Sequence, residues 1–214
     1  RSVTRVSGHT IASGIPGKPP PLPTSSKEIG GCTNKSIGLS ESRMWRVLII
    51  DGHEDIASAI EGARRDFSAA DPRYSLSLPG LRAGGVGIVL ATTFCAGEGK
   101  KAFKGVTGRR QLEIYEDLCR RFPGELARVQ CKSDLRKIPA SGRTGLVILM
   151  EGADPLPNPS ALEEYHRRGA RVLALAWNNR NAYACGLSGR GGLTPKGREL
   201  LRVMKDLRMV LDVS

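Results

Sequence analysis

The sequence is 214 residues long, with 40% hydrophobic and 25% charged residues, proportions ordinary for a globular chain. No apolar run approaches the roughly 18 residues of a transmembrane helix, which excludes a membrane-spanning class, and the composition is not collagen-like. A net charge of +12 admits nucleic acid, acidic lipid or an anionic substrate as partner.

Residues 1–43 are rich in Gly, Ser, Thr, Lys and Pro, with Pro16, Pro19, Pro20, Pro21 and Pro23 crowded together. They show no lasting helix or strand period, so they read as a disordered extension, and their PxxP-like run reads as a passive linker. The first methionine, Met44, stands directly before a buried-looking strand and is expected to be the natural start. From there the pattern alternates. Val47 to Ile50, Val86 to Ala91, Leu146 to Met150, Val172 to Ala176 and Met209 to Val213 are short continuous apolar runs, as buried parallel strands require. Helical periods run over Ile56 to Phe67, Gln111 to Phe122, Ala161 to Arg168 and Gly197 to Asp206, the last capped by Thr194 before Pro195. Such units imply parallel strands with right-handed crossovers, hence either a doubly wound sheet or a (β/α)8 barrel. Gly84-Gly85-Val86-Gly87 enters a strand instead of leaving one, so it reads as a tight turn and not as a dinucleotide fingerprint.

In α/β folds reactive groups belong at the carboxyl ends of strands. The first strand delivers His53 and Asp55, two apart on an extended chain and so on one side, where an imidazole and a carboxylate can meet one cation. The third delivers Glu151, followed by the small Gly152 and Ala153. Each has a bland alternative: a hydrogen-bonded turn for His53-x-Asp55, a helix cap or first-turn acid for Glu151. His166 reads as a solvated helix face, His9 belongs to the extension, and Cys95 reads as an incidental thiol without a separate histidine partner. Lys100, Lys101, Lys104, Arg109 and Arg110 form a basic cluster in a Gly-rich loop, with Phe103 its one aromatic; a solvated loop is favoured over a phosphate or nucleic-acid site. Five cysteines (Cys32, Cys95, Cys119, Cys131 and Cys185), odd in number and without a CxxC pair, suit free thiols in a reducing, cytoplasmic compartment.

The chain from about Val47 to Ser214 resembles the zinc dipeptidases of the membrane (renal) dipeptidase type, especially their bacterial members. The likeness is carried, in the family's order, by Asp51-Gly52-His53-Glu54-Asp55-Ile56-Ala57, Leu81-Arg82-Ala83-Gly84-Gly85-Val86-Gly87 and Glu151-Gly152-Ala153-Asp154. Trp177-Asn178-Asn179-Arg180-Asn181, Gly192 to Leu200 and the closing Leu211-Asp212-Val213-Ser214 continue it. The resemblance implies a (β/α)8 TIM-type barrel, here about the first five strand-helix units over residues 44–214. It implies two zinc ions in the complete enzyme and at most a partial site in this chain, with His53 and Asp55 on the first zinc and Glu151 bridging both. A dipeptide would be cleaved at its amide bond by a metal-bridging hydroxide. Mammalian members place an oxyanion-stabilising histidine where Trp177 stands, with Asn178 beside it as substitute donor. The family's two histidines for the second zinc and its later catalytic aspartate lie beyond Ser214. A barrel of this class takes about 250 residues, so the expectation is a shortened, inactive form of a longer enzyme. The partner expected is a dipeptide, with no nucleic acid and no membrane segment, and a homodimer is left open. The competing reading is a non-catalytic α/β protein that uses the basic Lys100 to Arg110 loop to hold an anionic partner such as nucleic acid.

Overall fold

Nine consecutive residues, Val86–Phe94, make the longest strand (β2), and everything that positions the candidate site is arranged around it. The structure is a computed structural model describing residues 48–63, 66–74, 76–95 and 101–214; the expected extension, with His9 and Cys32, lies outside these. In chain order the elements are β1 (Ile49–Glu54), α1 (Ile56–Ala63), α2 (Leu78–Ala83), β2, α3 (Lys101–Arg121), β3 (Leu126–Arg128), α4 (Lys132–Ser141) and β4 (Thr144–Glu151). A 3-10 turn (Pro159–Ala161), α5 (Leu162–Arg167), β5 (Ala170–Ala174), α6 (Pro195–Asp206) and β6 (Val210–Asp212) follow.

Among the described residues every pairing between the named strands is parallel. The sheet runs β1-β2-β4-β5-β6, with the short β3 beside the start of β4. This is the α/β half-barrel the sequence implies, and each of the five expected strands is present. Their limits move in an informative way. The first strand reaches Glu54, so His53 lies inside it instead of beyond it, and β2 continues through Thr92 and Thr93 to Phe94.

Register separates the two faces. Val89, Ala91, Leu146, Ile148 and Met150 lie on one face and pack with Ile56 and Ala57 of α1, Leu112, Tyr115 and Leu118 of α3, and Leu162 and Tyr165 of α5. On the other face Ile88, Leu90 and Val147 meet Val129 and Ile138, the one buried side chain of α4. Further along that inner face, Thr92 stands opposite Leu149 and Phe94 opposite Glu151, so the polar groups collect at the strands' carboxyl ends. At the ends of the sheet, Ile49 and Ile50 of β1 and Val210 and Leu211 of β6 are exposed.

Gly85, at φ +68, turns the chain from α2 into β2, as the Gly-Gly pair foretold. The expected basic loop is corrected: Lys101–Arg121 is one helix, and Lys100 lies outside the described residues. Arg109 makes a two-pronged pair with Glu164 of α5 (2.9 and 3.1 Å), and Arg110 meets Glu61 of α1 at 2.7 Å. Two of the five basic groups are therefore joined to neighbouring helices instead of facing an anion.

Candidate metal centre

Parallel strands end at one rim, so residues far apart in sequence converge there. His53 Nε2 lies 3.7 Å from Asp55 Oδ1 and 3.7 Å from Glu151 Oε2. One donor atom from each of the three falls within 4.8 Å of the others. Zinc bonds of about 2.0–2.2 Å in a tetrahedron set donor atoms about 3.3–3.6 Å apart, so the two His53 separations are within a few tenths of an ångström of a ligating geometry. The donor set, one imidazole and two carboxylates, fits a divalent cation. Exposure is graded: the Glu151 side chain is 15% exposed, whereas those of His53 and Asp55 are 44% and 50%. A cation held here has the least exposed carboxylate, Glu151, behind it and an open side for solvent or substrate.

The electrostatics point the same way. Burial pushes the Glu151 carboxyl above its usual range, and the negative charges of Asp55 and Asp212 add to this, while His53 opposes it. Glu54 is pushed up to about 7 by burial, by a side-chain hydrogen bond with Asp51 and by the charges of Asp51 and Asp55. Carboxylates gathered on a half-buried rim repel one another, and a divalent ion would reverse that.

Local structure fixes each group. The His53 main-chain N–H donates to Asp51 Oδ1 at 3.1 Å, which ties the backbone at this position. Asp55 sits between β1 and α1, and the buried Thr92 hydroxyl donates to its Oδ1. Beside Glu151, a cleft is lined by Phe94, Cys95, Asp154, Trp177, Asn178 and Asn179. Trp177 is 46% exposed and stands edge-on to Phe94, ring centroids 4.6 Å apart. Asn178 thus faces the cleft that holds Glu151, and its carbonyl accepts from the Ser188 N–H (2.9 Å) and Oγ (2.6 Å). The half-buried His166 of α5 is not part of the cluster; burial lowers its imidazole's pKa.

Asn181 is the main brace of the loop carrying these residues. Its Nδ2 donates to the Leu175 carbonyl (2.7 Å) and to Asp154 Oδ2 (3.1 Å), and its Oδ1 accepts from the N–H groups of Tyr183 (2.8 Å) and Ala184 (3.0 Å). Asn181→Leu strands these partners and is expected to destabilise the chain by about 1–3 kcal/mol, measured by urea unfolding. Sequence reasoning missed Thr92, which ends an apolar run and bonds Asp55, and the charge of Asp212, which lay in the quoted closing motif and acts on Glu151; nothing local marks either for its part.

The family model described as Membrane dipeptidase (Peptidase family M19) matches residues 41–214. This chain belongs to the membrane dipeptidase family. Among curated relatives of this family member, dipeptidase tcpJ of Claviceps purpurea is 26% identical over 110 residues, covering 49% of this chain and 26% of that protein. An uncharacterized protein in the PQQ-III 3' region of Acinetobacter calcoaceticus is 30% identical over 90 residues, 38% of this chain and 29% of that one. The probable dipeptidase PvdM from Pseudomonas aeruginosa shares the fold at a TM-score of 0.69 and 21% identity, over 79% of this chain and 47% of PvdM. A metallopeptidase from Rhodobacter sphaeroides, liganded with a phosphinate mimic of the dipeptide L-Ala-D-Ala, does so at 0.70 and 17%, over 78% of this chain and 58% of that one. The chain thus spans about half the length of these solved structures and under a third of the curated relatives. For this member of a metallo-dipeptidase family, the His53, Asp55 and Glu151 cluster is where a metal fits.

Proposed function

We propose that the chain supplies the first half of a zinc dipeptidase active site, with His53 and Asp55 holding one zinc ion and Glu151 placed to bridge to a second. The observation that carries this is the convergence of those three donors on one rim, 3.7 Å from imidazole nitrogen to each carboxylate. Zinc bound there supplies Lewis-acid polarisation of the scissile carbonyl and activation of water. The protein's own part is to bind and orient. Glu151, on β4 with its neighbours β2 and β5, presents a carboxylate whose position the sheet fixes. Asn178, in the adjoining cleft, is a side-chain amide available to donate to an oxygen of the dipeptide where charge develops. Membership of the family supports a dipeptide as substrate.

Zinc titration of the chelator-treated chain against a chromophoric competitor should give one saturable site, abolished in His53→Ala. Where the complete barrel is assayed, hydrolysis of L-Ala-D-Ala, the dipeptide mimicked in the Rhodobacter sphaeroides relative, should follow the same dependence. A chain that folds, binds no zinc and is unaffected by His53→Ala would overturn the assignment.

The reading includes a reducing, cytoplasmic setting, supported by Cys119, Cys131 and Cys185 standing outside any disulfide. It also includes self-association into a homodimer, supported by the exposed apolar residues at both ends of the sheet and read out by sedimentation. The competing anion-binding reading loses two of its five basic groups, because Arg109 and Arg110 lie on α3 in ion pairs with Glu164 and Glu61.

A further inference from the structure

Asp55 immediately precedes α1, the position where an aspartate normally turns its carboxylate onto the N–H groups of the first helical turn. Here it does not. The N–H of Ala57, the second residue of α1, donates instead to the hydroxyl of Tyr115, 3.1 Å away and 58 residues on in α3. The same hydroxyl donates to the main-chain carbonyl of Thr92 at 2.7 Å. Tyr115 is 1% exposed, so these bonds are closed to water. One buried phenol therefore takes over the helix-capping role and ties the start of α1 to the end of β2.

Thr92 completes the device. Its side chain is 1% exposed, on the inner face of β2 opposite Leu149. Its hydroxyl donates to Asp55 Oδ1, with the Glu54 carbonyl 3.3 Å away as its other neighbour. A β-branched residue in a strand has little freedom about χ1, so the direction of that hydroxyl is set by the backbone that Tyr115 holds. The Asp55 side chain is half exposed and water alone would satisfy it. A buried hydroxyl directed at it does something water cannot, which is to fix its rotamer.

We propose that Thr92 is a positioning residue for the metal centre, aiming the Asp55 carboxylate at the cation, and that Tyr115 frees Asp55 for this role by capping α1 in its place. This rests on the reading of His53, Asp55 and Glu151 as metal ligands. Partners that orient ligands in this way typically contribute about 10- to 100-fold to metal affinity.

The test measures zinc affinity of the folded, chelator-treated full chain by competition, with circular dichroism and thermal unfolding on each variant. Thr92→Val keeps the shape and removes the hydroxyl; it should weaken zinc binding about 10- to 100-fold, while Thr92→Ser stays within about threefold of wild type. Tyr115→Phe releases the Ala57 N–H to Asp55 and should weaken zinc binding similarly. In an Asp55→Asn background Thr92→Val should have no further effect, because the hydroxyl acts through that carboxylate. A cobalt-loaded sample should show changed visible bands in Thr92→Val and unchanged ones in Thr92→Ser. Wild-type affinity in a folded Thr92→Val chain, or equal losses with and without Asp55, would overturn the proposal. If Thr92→Val does not fold, the Tyr115→Phe and Thr92→Ser affinities decide it alone. A folded wild-type chain that binds no zinc would overturn the centre itself, a result distinct from a centre that binds zinc indifferently to Thr92.

Discussion

Glu151→Gln is expected to abolish tight zinc binding, by at least about a thousandfold, while making the metal-free chain more stable. The first effect follows from removing a ligand, which goes beyond the roughly 10- to 100-fold typical of losing an outer partner. The second follows from the direction in which the Glu151 carboxyl is shifted. Burial, Asp55 and Asp212 all raise its pKa, so its ionised form is less welcome in the folded chain than in the unfolded one. In the presence of a chelator the wild type therefore loses stability as pH rises above the ordinary carboxylate value of 4.5, and the loss levels off once the folded carboxyl has ionised. Glutamine cannot ionise, so the two chains should melt alike near pH 4 and diverge with rising pH, the variant higher. Added zinc should reverse the order, raising the wild-type melting temperature and leaving the variant unmoved. Equal melting curves at pH 8 in chelator would contradict the electrostatic account, and zinc stabilisation of the variant would contradict the ligand assignment. A site that costs stability until its ion arrives is the usual trade between function and folding.

Gly197→Ala, where α6 packs on the site loop, is expected to be strongly destabilising for a single added methyl. Gly197 is buried in the first turn of α6, and a Cβ there would overlap the main-chain carbonyl of Tyr183. That carbonyl cannot retreat, because it accepts from the Thr194 N–H at 3.0 Å, and the Thr194 hydroxyl bonds to the Ala182 carbonyl at 2.7 Å. Overpacking costs about 1–3 kcal/mol where side chains can adjust and more against fixed backbone. At about 2–4 °C per kcal/mol for a domain of this size, calorimetry should show a fall of roughly 5 °C or more. Gly192→Ala, a few residues earlier with no atom within 4 Å of the added carbon, should leave the melting temperature nearly unchanged.

Much of this architecture is legible in the sequence because buried parallel strands advertise themselves as unbroken apolar runs, and Leu146 to Met150 is one. The elements that escape are those without such a run. Helix α4 is mostly polar, contains Pro139 and buries only Ile138, so it has no apolar stripe; its start is fixed by Asp134, whose carboxylate accepts from the N–H groups of Gln130 and Cys131. Strand β3 is three residues long, too short for any period to register. The Gly-rich approach to α3 suggests a loop, yet helix begins at Lys101, and Gly105 and Gly108 lie within it; among the described residues the apolar core-facing side chains of α3 begin only at Leu112. At the site, His53, Asp55 and Glu151 can be picked out because strand ends in a parallel sheet share a rim. Thr92 and Tyr115 cannot, since their part depends on contacts 37 and 58 residues away, which no local pattern encodes.

The exposed Ile49 and Ile50 at one end of the sheet and Val210 and Leu211 at the other carry an implication for concentrated solutions. These ends are unlike edges of a parallel sheet, so a contact between β1 of one copy and β6 of another would run head to tail, preserving strand direction. Such heterologous contacts close into a ring only if the rotation per copy divides a full turn; otherwise each addition leaves a fresh end and the assembly lengthens. Growth of that kind is concentration-dependent and self-templating, and one lysine or proline at Ile50 or Val210 suffices to cap it.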